Sequence, residues 1–512
     1  MRVDTACMNP IESRHRDLRM LRITRSAPFW IAALAIVLAL GFLGQRGIWD
    51  PDEGRYTNVA LHMLDSGDWI DPHRSNAIGH WTKPPLTYWT IASSVAVFGH
   101  NAWAARLPAA LSYLLSVWLA WRIARRLAPG SEPQAALIYA TMLFPVGATQ
   151  WITTDYVLAA GETLALWAFV EVRFGNRAHP GRWMAAMWAG FALAFLTKGP
   201  PSLLPLLAIL AFDLAQPRRM RPRALQWQGL LLFALIAAPW YVIVTARNPG
   251  LLQYFLGSEV VARVATDDFS RHGEWYGWIV IYVPTLLLGT LPWTPALLRW
   301  ARALPASVRG WRTREGRVDD AAGLLLALWL LLPLLVFCVS RSRLPLYILP
   351  LFVPLALLAA RQRQGEGRPL PRWHWLLLWS AVMLALQLAT AQWPTHKNAE
   401  AWAQAIRARV PGPITQIAFV DDMARYGLHL HLGVEIEKLS LQPEGHAQFN
   451  PEYDETVADE IRTDFDPASL WITKQAHWLA VRDALAALGV DALPQGTPYE
   501  GRIIFRIRRA TP

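Results

Sequence analysis

The chain has 512 residues, of which 54% are hydrophobic and 17% charged, with a formal net charge of +11. Soluble domains average about 25% charged residues, so this composition excludes an ordinary soluble protein and fits a chain with much of its surface in lipid. The positive charge does not point to nucleic acid, because the arginines lie between apolar runs rather than on one globular face.

The first 27 residues form a basic tail, expected to be cytoplasmic. Arg14, Arg16, Arg19, Arg22 and Arg25 precede an apolar run from Phe29 to Leu43. A secretory signal has the same charge order, but no small-x-small cleavage site follows, so the run is read as an uncleaved first span near 28–45. A span needs about 20 apolar residues, and positive loops mark the cytoplasm. Arg122, Arg125 and Arg126 close a run over 104–121, which therefore returns inward. Between the two lies "LTYWTIASSVAVF", residues 86–98, too short to cross. It is expected to be an amphipathic helix at the outer interface, which makes residues 46–103 a long external loop.

Alternation then continues outward over 134–151, inward over 156–172, outward over 183–197, inward over 200–215 and outward over 228–245. A second external loop covers 246–275. The run 276–298 returns to Arg299, Arg302 and Arg309, 321–339 goes out, 344–360 returns to Arg361 and Arg363, and 374–392 goes out. This reading gives eleven spans within a membrane domain over 28–392. The segment 393–512 changes character. Helical spacing in "NAEAWAQAIRARV", strands in "ITQIAFV", "SLWIT" and "GRIIFRIRR", and a helix closed by Gly489 predict a soluble α/β domain on the outer side. Cys7 and Cys338 fall on opposite sides of the membrane in this topology, so neither a disulfide framework nor a cysteine zinc site is expected.

The stretch "WDPDEGRYTNVALHMLDSGDW", residues 49–69, raises the question of function. Asp50, Pro51, Asp52 and Glu53 suit the first turn of a helix. Carboxylates beside a bilayer also mark functional sites, and both readings can hold together. Lys83 in "HWTKPPLTYW" is either held by the prolines or snorkels beside Trp81 and Trp89. Asp155 is a helix cap or an acid lining a cavity, and Lys198 sits at a helix end broken by Gly199-Pro200-Pro201. Arg263 follows Glu259 at i+4, a surface ion-pair spacing. Arg341 and Arg343 are positive on the side expected to be poor in arginine, with Tyr347 just beyond. Together, Arg55, Lys83, Lys198, Arg263, Arg341 and Arg343 fall at the outer ends of spans, on the same side as Asp52, Glu53 and Asp155. A cationic pocket with a few acids at the lipid boundary suits a phosphate-bearing lipid headgroup. A transporter would bury such groups near the midplane, and a channel would need rings of them.

The motifs "PDEGRYTNVALHMLDSGDW", "TKPPLTYW", "ARLPAALSYLL", "FLTKGP", "LLLGTLPWT" and "SRSRLPLYILPLF" resemble, in order, those of the bacterial aminoarabinose transferases, whose wider kin are the protein O-mannosyltransferases. The resemblance covers roughly residues 28–360. It implies a polytopic α-helical membrane protein of the C-type glycosyltransferase architecture, with about 11 to 13 transmembrane helices and a C-terminal soluble α/β domain. It further implies an inner-membrane enzyme taking a sugar from a polyprenyl phosphate at the periplasmic face, with inversion. The family's acidic pair corresponds to Asp52 and Glu53, its later acid to Asp155, and its following arginine to Arg55. Its lipid-phosphate lysine corresponds to Lys83, and its phosphate-side arginine and tyrosine to Arg263 and Tyr347. The family's metal-linked Glu before that lysine is Thr82 here, which argues against a divalent-metal site. The acceptor implied is lipid A, another envelope glycan or a protein. A polyprenyl-linked sugar transporter or flippase needs a similar headgroup site and stays open at this point.

Overall fold

The computed structural model describes residues 27–175, 179–217, 224–257, 271–443 and 447–510. Arg263 and Glu259 lie outside them. The chain is a multi-pass membrane protein. Among the described residues, five helices are long and apolar enough to cross a bilayer: Ala102–Leu127, Trp227–Arg247, Ala321–Val339, Pro345–Gly365 and Trp373–Ala391. Several present apolar side chains outward, such as Leu235 and Val242 on one helix and Trp375, Leu378 and Leu386 on another. Each would forfeit about 1.5–3 kcal/mol if left in water, so these faces belong against lipid.

All eleven apolar runs contain helix, but two are not straight. The run 134–151 breaks at Met142, which is extended, into Glu132–Thr141 and Leu143–Ala148. The run 276–298 ends its first helix at Gly289 and turns by 118° into Thr294–Gly310. Pro292 lacks the N–H a continuous helix would use there, and the Thr290 and Thr294 hydroxyls pair across the corner at 2.9 Å. Arg299, Arg302 and Arg309 therefore ride on a bent second helix rather than in a loop after a straight span. Leu86–Phe98 is helical as expected but not amphipathic. Tyr88, Ile91, Ala92 and Val95 are buried, and its exposed residues are Ala96, Val97 and Phe98, also apolar, with Ser93 alone polar among them.

Small residues set the closest helix pair. Asp155–Phe174 and Pro180–Lys198 run antiparallel. An added Cβ on Gly161 would stand 3.1 Å from Ala194, and one on Gly190 would stand 2.9 Å from the Ala165 nitrogen. Such small-on-small contacts let membrane helices approach closely. Antiparallel packing brings the first residue of one helix, Asp155, beside the last of the other, Lys198.

The C-terminal segment builds a six-stranded sheet from β1 (Gln416–Val420), β2 (Glu435–Ser440), β3 (Glu455–Thr456), β4 (Leu470–Lys474), β5 (Val490–Pro494) and β6 (Arg502–Arg509). The strand order is β3-β2-β1-β4-β6-β5, parallel from β3 to β4 and antiparallel beyond. Central β1 is buried on both faces, as a parallel strand covered by helices should be. Its Ile417 and Phe419 enter one core and its Ala418 and Val420 the other. The sheet is stitched to the exit of the first helix. Asp50 N donates to Lys397 O at 3.0 Å, and Ala399 N donates to Ile48 O at 2.9 Å.

A buried ion network anchors the same exit. Glu53, 1% exposed, accepts from Arg46 Nη1 at 2.7 Å, from Arg106 Nη2 at 3.1 Å, and from the Trp49 and Ile152 amides. Arg106 also donates to the carbonyls of Leu43, Arg46 and Gly47. Breaking a buried pair by removing one partner costs about 3–5 kcal/mol, because the remaining charge is stranded. Arg106→Ala is therefore expected to destabilise the protein by about that amount, read as a marked fall in its thermal unfolding temperature in detergent. An unchanged melting temperature would contradict this reading.

Candidate active site

Asp52 and Glu53 are neighbours in sequence but point apart, because successive helical residues are rotated by about 100°. Both lie in the first turn of the helix Asp52–Ser66, where carboxylates suit the helix dipole. Glu53 turns inward to the arginine network. Burial raises its pKa, but the Arg106 and Arg46 charges outweigh that and hold it at about 2. It does not line the cavity that Asp52 faces, so its place among the groups expected to do chemistry is corrected to that of an anchor. Asp52, with its side chain 70% exposed, faces a cavity and accepts from Arg55 Nη2 at 2.8 Å.

Asp50 has a different task from the helix start expected of it. Its Oδ1 accepts from the Gly427 amide of the sheet domain at 3.0 Å. Gly54 permits this approach: an added Cβ would stand 1.8 Å from Asp50 Oδ1 and 2.6 Å from Gly427 N. Burial pushes the Asp50 carboxyl up to about 8, although the Gly427 amide and the Arg425 charge pull it down.

The cavity, of about 890 Å³, lies between the membrane helices and the sheet domain. Pockets for small ligands run about 300–1,000 Å³, so a sugar phosphate fits. Six of the expected residues meet there: Asp52, Arg55, Lys83, Asp155, Lys198 and Tyr347. Lys83 is carried on the turn Lys83-Pro84-Pro85 before the helix Leu86–Phe98, and its Nζ donates to Thr82 O at 2.6 Å. Lys198 Nζ meets Asp155 Oδ1 at 2.5 Å and stands 4.3 Å from the centre of the Tyr347 ring. Tyr347 arrives on the short helix Pro345–Leu351, where Pro345 starts the turn. Leu344, Leu346, Tyr254 and Phe449 add an apolar wall.

Besides Glu53, two expected residues do not join them. Arg343 is 4% exposed and donates to the backbone carbonyls of His272, Glu274 and Cys338 at 2.6–3.0 Å. It braces the chain around 271–277. Arg341 is exposed and outside the cavity wall. An i, i+2 spacing in an extended segment would put both on one side, so the burial of Arg343 and the exposure of Arg341 are not readable from the "SRSRLP" pattern.

The sheet domain supplies groups that the sequence did not single out. Asp421, Asp422, Lys438 and Lys474 line the cavity, at or near strand ends, with Tyr426 and Tyr453. Burial raises the Asp422 pKa, but the bond from Arg502 and the charge of Arg425 bring it below the usual carboxylate range. Arg74 and Arg271 complete the cationic wall. Arg74 is fixed by Asp454 of the sheet domain at 2.6 Å. Strand ends of open α/β sheets commonly face ligands, which is the signal available for the first group. Arg74 had no such signal, since its partner is 380 residues away.

Thr82 Oγ1 pairs with His80 Nε2 at 2.8 Å. The one cluster of carboxylates close enough to share an ion, among the described residues, is Glu437, Glu455 and Glu460. None of the three lines the cavity.

Residues 82–243 match the family described as dolichyl-phosphate-mannose-protein mannosyltransferase. Undecaprenyl phosphate-alpha-4-amino-4-deoxy-L-arabinose arabinosyl transferase 2 of Pseudomonas fluorescens is 35% identical over 64% of this chain and 59% of its own length. The corresponding transferase of Edwardsiella ictaluri is 33% identical over 71% of this chain and 65% of its own. The chain is similar to these aminoarabinosyl transferases. It matches somewhat under two thirds of their length. The fold extends further than the sequence likeness. ArnT from Cupriavidus metallidurans in the apo state superposes with a TM-score of 0.74 at 21% identity, over 94% of this chain and 98% of that one. Its undecaprenyl phosphate complex gives 0.72, over 94% and 99%. The chain therefore has the fold of these two structures, including the C-terminal domain.

The Asp50 clamp makes stability depend on pH. A carboxyl raised in the folded state contributes stability that is fully present below its unfolded pKa, near 3.8, and lost as pH rises through about 8. Glu437, raised by burial to about 8, acts in the same direction. The wild-type melting temperature is therefore expected to fall between about pH 5 and about pH 9. Asp50→Asn should flatten part of that slope, leaving the share of Glu437 and of Glu460, which burial also raises. An identical slope in the variant would remove Asp50 from the account. Gly54→Ala should weaken the joint at every pH.

Proposed function

We propose that the chain is an inverting glycosyltransferase of the bacterial inner membrane that takes a sugar from an undecaprenyl-type phosphate donor. Its N-terminus is cytoplasmic, and the cavity and the 393–512 domain face the periplasm. The acceptor is lipid A or another envelope glycan. One observation carries the reading: acids, lysines and arginines from distant parts of the chain converge on one cavity with an apolar wall. The curated relatives named as arabinosyl transferases support the choice of reaction class.

In this mechanism the polyprenyl phosphate lies along the Lys83 and Arg55 side of the cavity. An acceptor oxygen attacks the anomeric carbon from the face opposite the phosphate. The new C–O bond forms as the bond to the phosphate oxygen breaks, and its electron pair leaves with the phosphate. Lys83 and Arg55 offset the growing negative charge, commonly a leading catalytic contribution. Asp52 takes the proton of a hydroxyl acceptor. An acceptor that is already a phosphate needs no proton removed, and Asp52 then only positions it. Lys198 holds Asp155 at the cavity wall, where the acid can hydrogen-bond the sugar.

Asp52→Asn is expected to slow transfer to a hydroxyl acceptor by about 100- to 10,000-fold, measured with purified protein and labelled donor. Wild-type turnover on an identified hydroxyl acceptor would remove Asp52 as the base. NMR of the product should show an inverted anomeric centre, and retention would rule out single displacement. The match over residues 82–243 favours a second reading, transfer to a protein hydroxyl. Mass spectrometry of envelope lipids and proteins, with and without the gene product, separates the two by where the sugar appears. A flippase would move donor without releasing free polyprenyl phosphate.

A further inference from the structure

A second cavity, of about 550 Å³, is lined by Arg299, Arg363, Arg368 and Arg372 with three tryptophans, Trp293, Trp375 and Trp379. It lies at the far end of the membrane domain from the first cavity. The helix Pro345–Gly365 connects them, carrying Tyr347 at one end and Arg363 at the other. Twenty-one helical residues span about 30 Å, the thickness of a bilayer core. No carboxylate lines the groove. The adjacent Glu366 pairs with Arg299 at 2.6 Å and with Arg368 at 2.7 Å. Four guanidinium groups against one carboxylate leave an excess of three positive charges. Arg363 has no carboxylate partner among the described residues. Its Nη2 donates to the Pro369 carbonyl at 2.7 Å, its guanidinium lies 5.1 Å from the Trp293 ring centre, and its buried Nε has no hydrogen-bond acceptor.

Below the arginines the groove opens onto an apolar stripe. Trp375, Leu378 and Val382 follow at helical spacing, 60%, 55% and 40% exposed. A headgroup phosphate among the guanidiniums would leave acyl chains lying along this stripe, with the tryptophans at the interface between them. We propose that this groove is a binding site for an acidic phospholipid, its phosphate held by Arg363 and Arg372 and its chains on the face of Trp373–Ala391. Ordinary cytoplasmic arginines need only solvent. Here the cations are crowded, partly buried and short of acids, and guanidinium forks suit phosphate oxygens.

The test uses the full-length protein purified in detergent, with cardiolipin, phosphatidylcholine or inorganic phosphate added. Cardiolipin is expected to raise the melting temperature by several degrees, with phosphatidylcholine and inorganic phosphate giving little. Native mass spectrometry should show retained cardiolipin adducts. The double variant Arg363→Gln, Arg372→Gln should lose the increment and bind roughly tenfold less cardiolipin, about 1.4 kcal/mol. Arg372→Gln alone, at an exposed position, provides the same comparison if the double variant does not fold. Equal stabilisation by phosphatidylcholine, a response to inorganic phosphate alone, or full cardiolipin retention in the variants would each overturn the proposal. None of these readouts depends on glycosyl transfer.

Discussion

The clasp of Glu53 by Arg46 and Arg106 fixes the geometry of everything above it. Such a triad is expensive to desolvate, so its geometry has to be complete, and it is. Both carboxylate oxygens are engaged by guanidinium groups, and the unused arginine donors go to backbone carbonyls. Because Glu53 is pinned inward, helical rotation turns Asp52 outward to the cavity. The acid that lines the cavity is thus positioned by the acid that does not.

A second constraint joins the two parts of the chain. Asp50, Gly54 and Gly427 meet so closely that no side chain fits between them. The sheet domain is thereby held over the membrane helices as one wall of the cavity. It contributes both charges and rings, and it orders Arg74 through Asp454. The membrane part of the chain supplies Lys83 and the Asp155–Lys198 pair, and the close packing of Gly161 and Gly190 sets that pair's position. At the far end of the Pro345–Gly365 helix the charge balance differs: arginines outnumber acids around the second cavity.

Much of this was legible in the sequence, for physical reasons. Apolar runs announce helices because lipid forces every backbone group to be satisfied internally. The β1 and β4 segments announced themselves because both faces of their strands are apolar, and β6 because Ile503, Phe505 and Ile507 alternate with Arg506 and Arg508. Strand β2 did not: in "EIEKLS" Glu435, Glu437 and Lys438 interrupt Ile436 and Leu439, so the pattern looks solvent-facing. The bend after Gly289 was hidden because Pro292 sits in an apolar run long enough to cross. Site residues were found where unusual charges sat at span ends. They were mis-sorted where the partner is remote, as with Glu53 and Arg106 or Arg343 and the carbonyls near 272. The sheet domain's share of the cavity could not be read, since contacts across more than 300 residues leave no local trace.

The central claim is that the lipid phosphate and the transferred sugar sit in one cavity walled by both parts of the chain. Photo-cross-linking of the purified protein with a polyprenyl phosphosugar bearing a photoreactive sugar tests it most directly. The account predicts labelled peptides from the segment around Lys83 and from residues 421–453 of the sheet domain, both competed by unlabelled polyprenyl phosphate. Labelling confined to the opposite, arginine-lined groove would contradict it.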